Sequence, residues 1–318
     1  MTRNVVEVAG LTKKYGKTEV LGGIDFAIQE NTITGLLGRN GAGKTTIMSI
    51  LSGQEPKTSG RLNVFGAEPF ESAGVLSRLC FVRESQKYPE DFKASHVLKT
   101  APWFFENWDA ELAAELVEVF RLPVGTRIKK LSRGQLSAVA IIVGMASRAE
   151  LTIFDEPYLG LDATARGLFY DYLLRDFMEH PRTVLMSTHL IDEVANLLEH
   201  VVVIDRGRKV LDTDVEAARE AAFTVAGPAQ AIDDVVRGRS VLRTQALGGL
   251  ASVTVDGAAD EQIRAAAAAR GLEIGPVGLQ DLVSAYGLMD DPAAAALTHN
   301  LRPIHARQRR EQQEEVTR

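Results

Sequence analysis

The chain has 318 residues, 45% of them hydrophobic, and a formal net charge of −6. That length suits one full domain plus a smaller one, with enough apolar residues to bury a real core. The mild acidic excess argues against a nucleic-acid binder, which carries a basic field. The lone cysteine, Cys80, forms no intrachain disulfide and suits a reducing compartment, and the six histidines are scattered without metal-ligand spacing.

No segment is expected to span a bilayer. The longest apolar stretch, Val139 to Ala146, is less than half of the ~20 residues a spanning helix needs. The opening MTRNVVEVAG holds no signal-peptide core. A soluble, cytoplasmic chain is expected, working on a membrane only through a partner.

In chain order, Val5, Val6 and Val8 begin a β-rich region, Lys14 to Lys17 make a turn, and Ile24–Ile28 and Ile33–Leu37 read as strands. From Lys44 the pattern turns helical, with Gly53 as its stop. Strand-like runs return at Arg61–Phe65, Leu79–Val82, Leu151–Phe154, Thr183–Ser187 and Val201–Asp205, with helical stretches between several of them. That alternation argues for an α/β core on a largely parallel sheet. Between residues 88 and 135 lies a helical insert, where Asp109 caps a helix carrying Leu112, Leu116, Val119 and Phe120. Past residue 220 alanine becomes dense. Strands at Phe223–Ala226 and Ala251–Val255 alternate with helices at Ala229–Arg237 and Asp260–Arg270, which predicts a small α+β accessory domain over 221–290. The tail, 291–318, mixes both charge signs without periodicity and is expected to be disordered.

The chemistry starts at Gly38-Arg39-Asn40-Gly41-Ala42-Gly43-Lys44-Thr45-Thr46, which matches G-x-x-x-x-G-K-[ST] between an apolar strand and a helix. Glycines let the backbone turn its N–H groups inward around phosphate, and the helix adds its positive end. Lys44 is placed to reach the β/γ-phosphates and Thr45 to offer a hydroxyl to Mg²⁺. Leu151 to Glu156 form an apolar strand ending in two carboxylates. Asp155 is placed to hold the metal and Glu156 to polarise an attacking water. A phosphate loop alone leaves kinases, GTPases and ATPases open.

Leu131-Ser132-Arg133-Gly134-Gln135, upstream of Asp155, resembles the LSGGQ signature of ABC transporter ATPases, with Arg133 in place of a glycine. Pro157-Tyr158-Leu159-Gly160-Leu161-Asp162 resembles their D-loop, and Ser187-Thr188-His189 their switch histidine. The resemblance covers residues 4–220 and rests on five motifs in order. It implies a P-loop NTPase fold: a RecA-like core, an antiparallel β subdomain and a helical subdomain, here within residues 1–220, followed by the α+β accessory domain. It implies hydrolysis of ATP with Mg²⁺, coupled to solute transport through a separate transmembrane permease. The chain beyond residue 220 resembles drug- or antibiotic-type exporters, so export is expected, at the inner face of the cell membrane. Tyr15 would stack on adenine, and His189 would meet the γ-phosphate. Ser132, Gly134 and Gln135 would close on ATP held by a second subunit. With one phosphate loop and one signature, a complete site needs a second chain, identical or related. No nucleic-acid partner is expected.

Three positions depart from the family pattern. Arg133 replaces a signature glycine, and the helix after it lacks the arginines often found there. The strand ending at Val82 leads to Glu84 where the family has a metal-approaching glutamine; Glu84 is taken as that residue, with Gln86 as the alternative. The insert also holds Trp103, Phe104, Phe105 and Trp108, which either fill its core or line the groove where a membrane partner docks.

Overall fold

The computed structural model describes residues 3–84 and 86–286; the expected disordered tail, 291–318, lies outside them. The described chain divides into two compact units, one up to Val215 and one from Glu216. Among the described residues, no helix is long and apolar enough to cross a membrane.

The first unit opens with two long strands, β1 (Asn4–Tyr15) and β2 (Thr18–Gln29), joined at a tight turn at Gly16-Lys17. The turn expected over Lys14 to Lys17 is shorter, because Lys14 and Tyr15 still pair with Glu19 and Thr18. Strand β3 (Ile33–Leu37) follows, and after the helix Lys44–Leu51 comes β4 (Ser59–Val64). Strands β1, β2 and β4 form an antiparallel sheet in the order β2-β1-β4. The first helix stops where expected: Ser52 ends it, and Gly53 takes the left-handed backbone that glycine tolerates, φ +68°.

The second sheet holds β3 with β5 (Leu79–Arg83), β6 (Leu151–Asp155), β7 (Thr183–Ser187), β8 (His200–Asp205) and β9 (Arg208–Asp214), in the order β5-β6-β7-β3-β8-β9. Its pairs are parallel except β8–β9. Strands β3, β6 and β7 are buried along their whole length. They therefore read as continuous apolar runs rather than alternating ones, as strands covered on both faces must.

Between β5 and β6 the chain forms the helical insert. Asp109 caps the helix Ala110–Val119 by accepting from the Leu112 N–H at 2.8 Å, and Leu112 and Leu116 are buried. The helix Arg133–Ala146 closes the insert and buries nine of its residues. Gly144 lies so close to β5 and β6 that a Cβ there would meet Val82 and Phe154 side chains at 2.6 and 2.7 Å. The helix is buried along most of its length, where a charge costs free energy unless it is paired. Cys80 is buried too, and burial pushes its thiol up to about 12, which leaves it inert.

The second unit contains β10 (Ala222–Pro228), β11 (Val241–Leu247), β12 (Leu250–Asp256) and β13 (Glu273–Pro276), with helices Ala229–Val235 and Glu261–Ala268 after β10 and β12. The antiparallel sheet runs β11-β12-β10-β13. This β-α-β-β-α-β order is the split βαβ arrangement, with Phe223, Val225, Val253, Val255, Ile232 and Ile263 in its core. The sequence reading found β10, β12 and both helices. It missed β11, β13 and the helix Leu279–Tyr286.

Candidate functional site

Strands β5, β6, β7 and β3 lie side by side and parallel, so their C-terminal ends form one edge, where open α/β sheets hold ligands. Glu84 follows β5, Asp155 ends β6 and Glu156 follows it, His189 lies two residues past β7, and the phosphate loop follows β3. Together they bound a cavity of about 550 Å³. Its walls are Asn40, Gly41, Gly43, Lys44, Thr45, Thr46, Glu84, Arg133, Asp155, Glu156 and His189, with Val20 and Leu159.

The loop is held by backbone geometry that only glycine accepts. Gly38 has φ +147°, and a Cβ on it would lie 2.1 Å from the Ile204 carbonyl oxygen. Lys44 is 6% exposed, and its Nζ donates to the carbonyls of Gly38 and Arg39 at 2.7 and 3.1 Å. Burial lowers its pKa, against the pull of Glu156 and Asp155. The side chain is thus a desolvated cation braced across its own loop. An anion in the cavity would compete for it strongly, because little water screens the contact.

Asp155 is 5% exposed and accepts from the Ser187 hydroxyl at 2.6 Å. Glu156 sits at φ +47°, a conformation that costs a non-glycine residue on the order of 1–3 kcal/mol. Its N–H donates to Ser187 Oγ at 3.1 Å, and its carboxylate lies 3.0 Å from His189 Nδ1. Ser187 therefore holds both carboxylates in place: its hydroxyl donates to one and accepts from the backbone of the other.

The carboxylate of Glu84 is paired with the Arg133 guanidinium. Two of the three departures from the family pattern thus contact each other at the cavity wall, and the Arg133 cation competes with any metal for the Glu84 carboxylate. Gln86 is half-buried and does not line the cavity.

The remaining expected residues lie outside the cavity wall. Ser132 and Gln135 cap their own helix reciprocally: Ser132 Oγ accepts from the Gln135 N–H at 3.2 Å, and Gln135 Oε1 from the Ser132 N–H at 2.9 Å. Gly134 sits so close to the D-loop that a Cβ would lie 2.4 Å from the Gly160 carbonyl oxygen. Tyr15 is 45% exposed, bonded to Glu55, with Lys13 Nζ 4.7 Å from its ring centroid. Trp103 and Phe104 do not fill the insert's core; they are 80% and 70% exposed, while Phe105 and Trp108 are half-buried. Val20 belongs to no sequence motif, and Leu159, Tyr158 and Ser187 stand in the sequence only as members of motifs, with no role of their own. Their contribution rests on long-range contacts that no local pattern announces.

Comparison with known proteins agrees with this geometry. The ABC transporter family model matches residues 21–159. The Nod factor export ATP-binding protein I of Rhizobium meliloti is 30% identical over 65% of this chain and 63% of its own. That of Rhizobium leguminosarum bv. viciae is 30% identical over 65% and 68%. An aliphatic sulfonates import ATP-binding protein of Paraburkholderia xenovorans is 31% identical over 75% and 68%. The chain thus spans about two thirds of the length of these relatives. Among solved structures, an ATP-binding subunit of an ABC transporter superposes with a TM-score of 0.62 at 23% identity, covering 68% of this chain and 92% of that one. A dimeric ATP-binding cassette in a post-hydrolysis state, bound to ADP and phosphate, does so with a TM-score of 0.58 at 20% identity, covering 66% and 98%. The chain belongs to the ABC transporter family.

Proposed function

We propose that this chain binds and hydrolyses Mg²⁺-ATP as a dimer and thereby drives solute movement through a separate transmembrane permease. The observation that carries this reading is one cavity that gathers a buried Lys44, the loop residues Gly41, Gly43, Thr45 and Thr46, and the acidic residues Asp155 and Glu156. Loop and lysine fit the phosphates, and Glu156, held beside His189, fits activation of water.

The donor set also fits the metal. Among the described residues, no cluster of three or more His, Cys, Asp or Glu could hold an ion unaided. Magnesium does not require one, because it binds through one or two carboxylates together with substrate phosphates and waters. Asp155 and the Thr45 hydroxyl would supply hard oxygen ligands, with Glu84 joining them once released from Arg133. The ion would neutralise charge developing on the phosphates.

The dimer reading rests on chain content: one phosphate loop and one signature, whose Ser132, Gly134 and Gln135 are not among the residues lining the cavity, although Arg133 between them is. Each signature would close on the other chain's nucleotide, helped by the positive end of its helix. Export is the direction we favour, since Nod factor export subunits recur among the relatives. The exposed Trp103 and Phe104 would meet the permease at the inner membrane face, where the chain would be peripheral. The exposed Tyr15 ring would take the adenine. Phosphate release by the purified chain tests the reading: ATP and Mg²⁺ together should support turnover, and Lys44→Ala should abolish it. Equal turnover by both proteins would overturn it.

A further inference from the structure

Tyr158 has no part in the reaction as derived so far, yet it is buried and its hydroxyl is enclosed by polar groups. It is 2% exposed. Its Oη lies 2.8 Å from Thr188 Oγ1, 3.0 Å from the His189 N–H and 3.1 Å from His189 Nδ1. The ring packs beside the imidazole, centroids 5.6 Å apart. The same Nδ1 lies 3.0 Å from Glu156 Oε2.

These contacts set two partners in competition for one nitrogen. An ionised Glu156 carboxylate can only accept, so its contact requires a proton on Nδ1. That leaves Nε2 a bare lone pair, unsuited to an anionic phosphate. The tyrosine asks for the opposite. One of its lone pairs takes the His189 N–H. Thr188 Oγ1 already accepts from the Leu190 N–H at 2.9 Å, so its own proton is best donated to the second lone pair of Tyr158. The tyrosine O–H is then left with Nδ1 as its acceptor. In that arrangement Nδ1 accepts and the ring proton sits on Nε2.

We propose that Tyr158 is a positioning residue that holds His189 as the Nε2–H tautomer, turning a hydrogen-bond donor toward the phosphate end of the cavity and releasing Glu156 from the imidazole to act on water. Thr188 orients Tyr158, and Tyr158 orients His189. The inference rests on the reading of Glu156 and His189 as the reacting pair, but its direct observable needs no nucleotide.

The test is nitrogen NMR of the full chain with ¹⁵N-labelled histidine, at a pH where imidazole is neutral. Loss of signal in His189→Ala assigns the residue. In the wild-type protein, Nδ1 of His189 should appear unprotonated and Nε2 protonated. Tyr158→Phe keeps the ring and deletes the hydroxyl, and the population should move to Nδ1–H. Thr188→Val should move it the same way and decides the matter if Tyr158→Phe does not fold. A wild-type Nδ1–H tautomer, or one that neither variant changes, overturns the proposal. In ATP turnover, Tyr158→Phe should lower kcat about tenfold with KM unchanged, as losing a preorganised donor does. A change in KM alone contradicts the positioning role. A wild-type chain without ATPase activity would refute the proposed function and leave the tautomer measurement to judge this inference.

Discussion

Glycine at 134 illustrates how closely single residues are constrained at this site. The family reading gives this signature glycine the task of approaching nucleotide across a dimer. The structure adds a nearer reason, because its Cα faces the Gly160 carbonyl of the D-loop with no room for a methyl group. Gly134→Ala must therefore move backbone, not a flexible side chain. It is expected to cost about 1–3 kcal/mol, the usual range for overpacking, and to disturb the segment carrying Tyr158. Urea denaturation with turnover assays checks this; unchanged stability and rate would mean that the D-loop is free to shift. Residues whose chemistry is contiguous were legible in the sequence: Gly38 to Thr46 announce a phosphate loop, and Asp155-Glu156 announce the acidic end of a strand. The Glu84–Arg133 pair was not, because 49 positions separate its members and each is an ordinary charged residue. Tyr158 lay inside a recognised motif, but its partners stand 30 and 31 positions on.

At the scale of elements, two charged clusters bind helices and strands together. The helix Ala163–Glu179 contributes Asp176, whose carboxylate accepts from Arg182 at 2.6 Å and from Arg148 at 3.0 Å. Arg148 also reaches Asp109, the cap of the insert helix, at 2.7 Å. Asp176 and Arg182 are 3% and 5% exposed. Removing one partner of a buried pair strands the other's charge, so Asp176→Ala is expected to destabilise the first unit by about 3–5 kcal/mol, read from its denaturation midpoint. The second cluster joins β8 to β9. His200 Nε2 lies 2.8 Å from Asp212 and Nδ1 2.9 Å from Asp214. The hydrogen bond to Asp212 and then that to Asp214 raise the histidine's pKa above its ordinary 6.5, against burial. The folded state thus binds this proton more tightly than the unfolded state. The stabilisation is complete below pH 6.5 and is lost as pH rises through the raised folded value. Thermal denaturation should show Tm falling as pH is raised from that point, and His200→Gln should flatten the slope. Strand β9 escaped the sequence reading for a related reason: Arg208–Asp214 has no buried residue, and it is held by pairing and charge rather than apolar alternation.

For the whole molecule, the two units have separate cores. One is built from residues between Val5 and Ile204, the other from residues between Phe223 and Leu272. The sequence placed the change near residue 220 from composition, and the contacts divide between Val215 and Glu216. Because every cavity residue belongs to the first unit, a chain ending at Val215 is expected to fold and to bind ATP with the affinity of the full protein. A nucleotide titration of both forms checks this. The α/β order was visible because buried parallel strands form short apolar runs between helices. The edge strands β11 and β13 carry mostly exposed or half-buried residues and left no such mark.

The central claim, that two chains enclose ATP and Glu156 then cleaves it, is tested most directly on Glu156→Gln. The amide keeps the shape of the side chain but removes both the base and a like charge beside the γ-phosphate. Size-exclusion chromatography with light scattering, with and without Mg²⁺-ATP, should show a monomer that becomes a stable dimer only with nucleotide, while phosphate release is nearly abolished. A variant that stays monomeric with bound ATP, or that releases phosphate at the wild-type rate, would contradict the account.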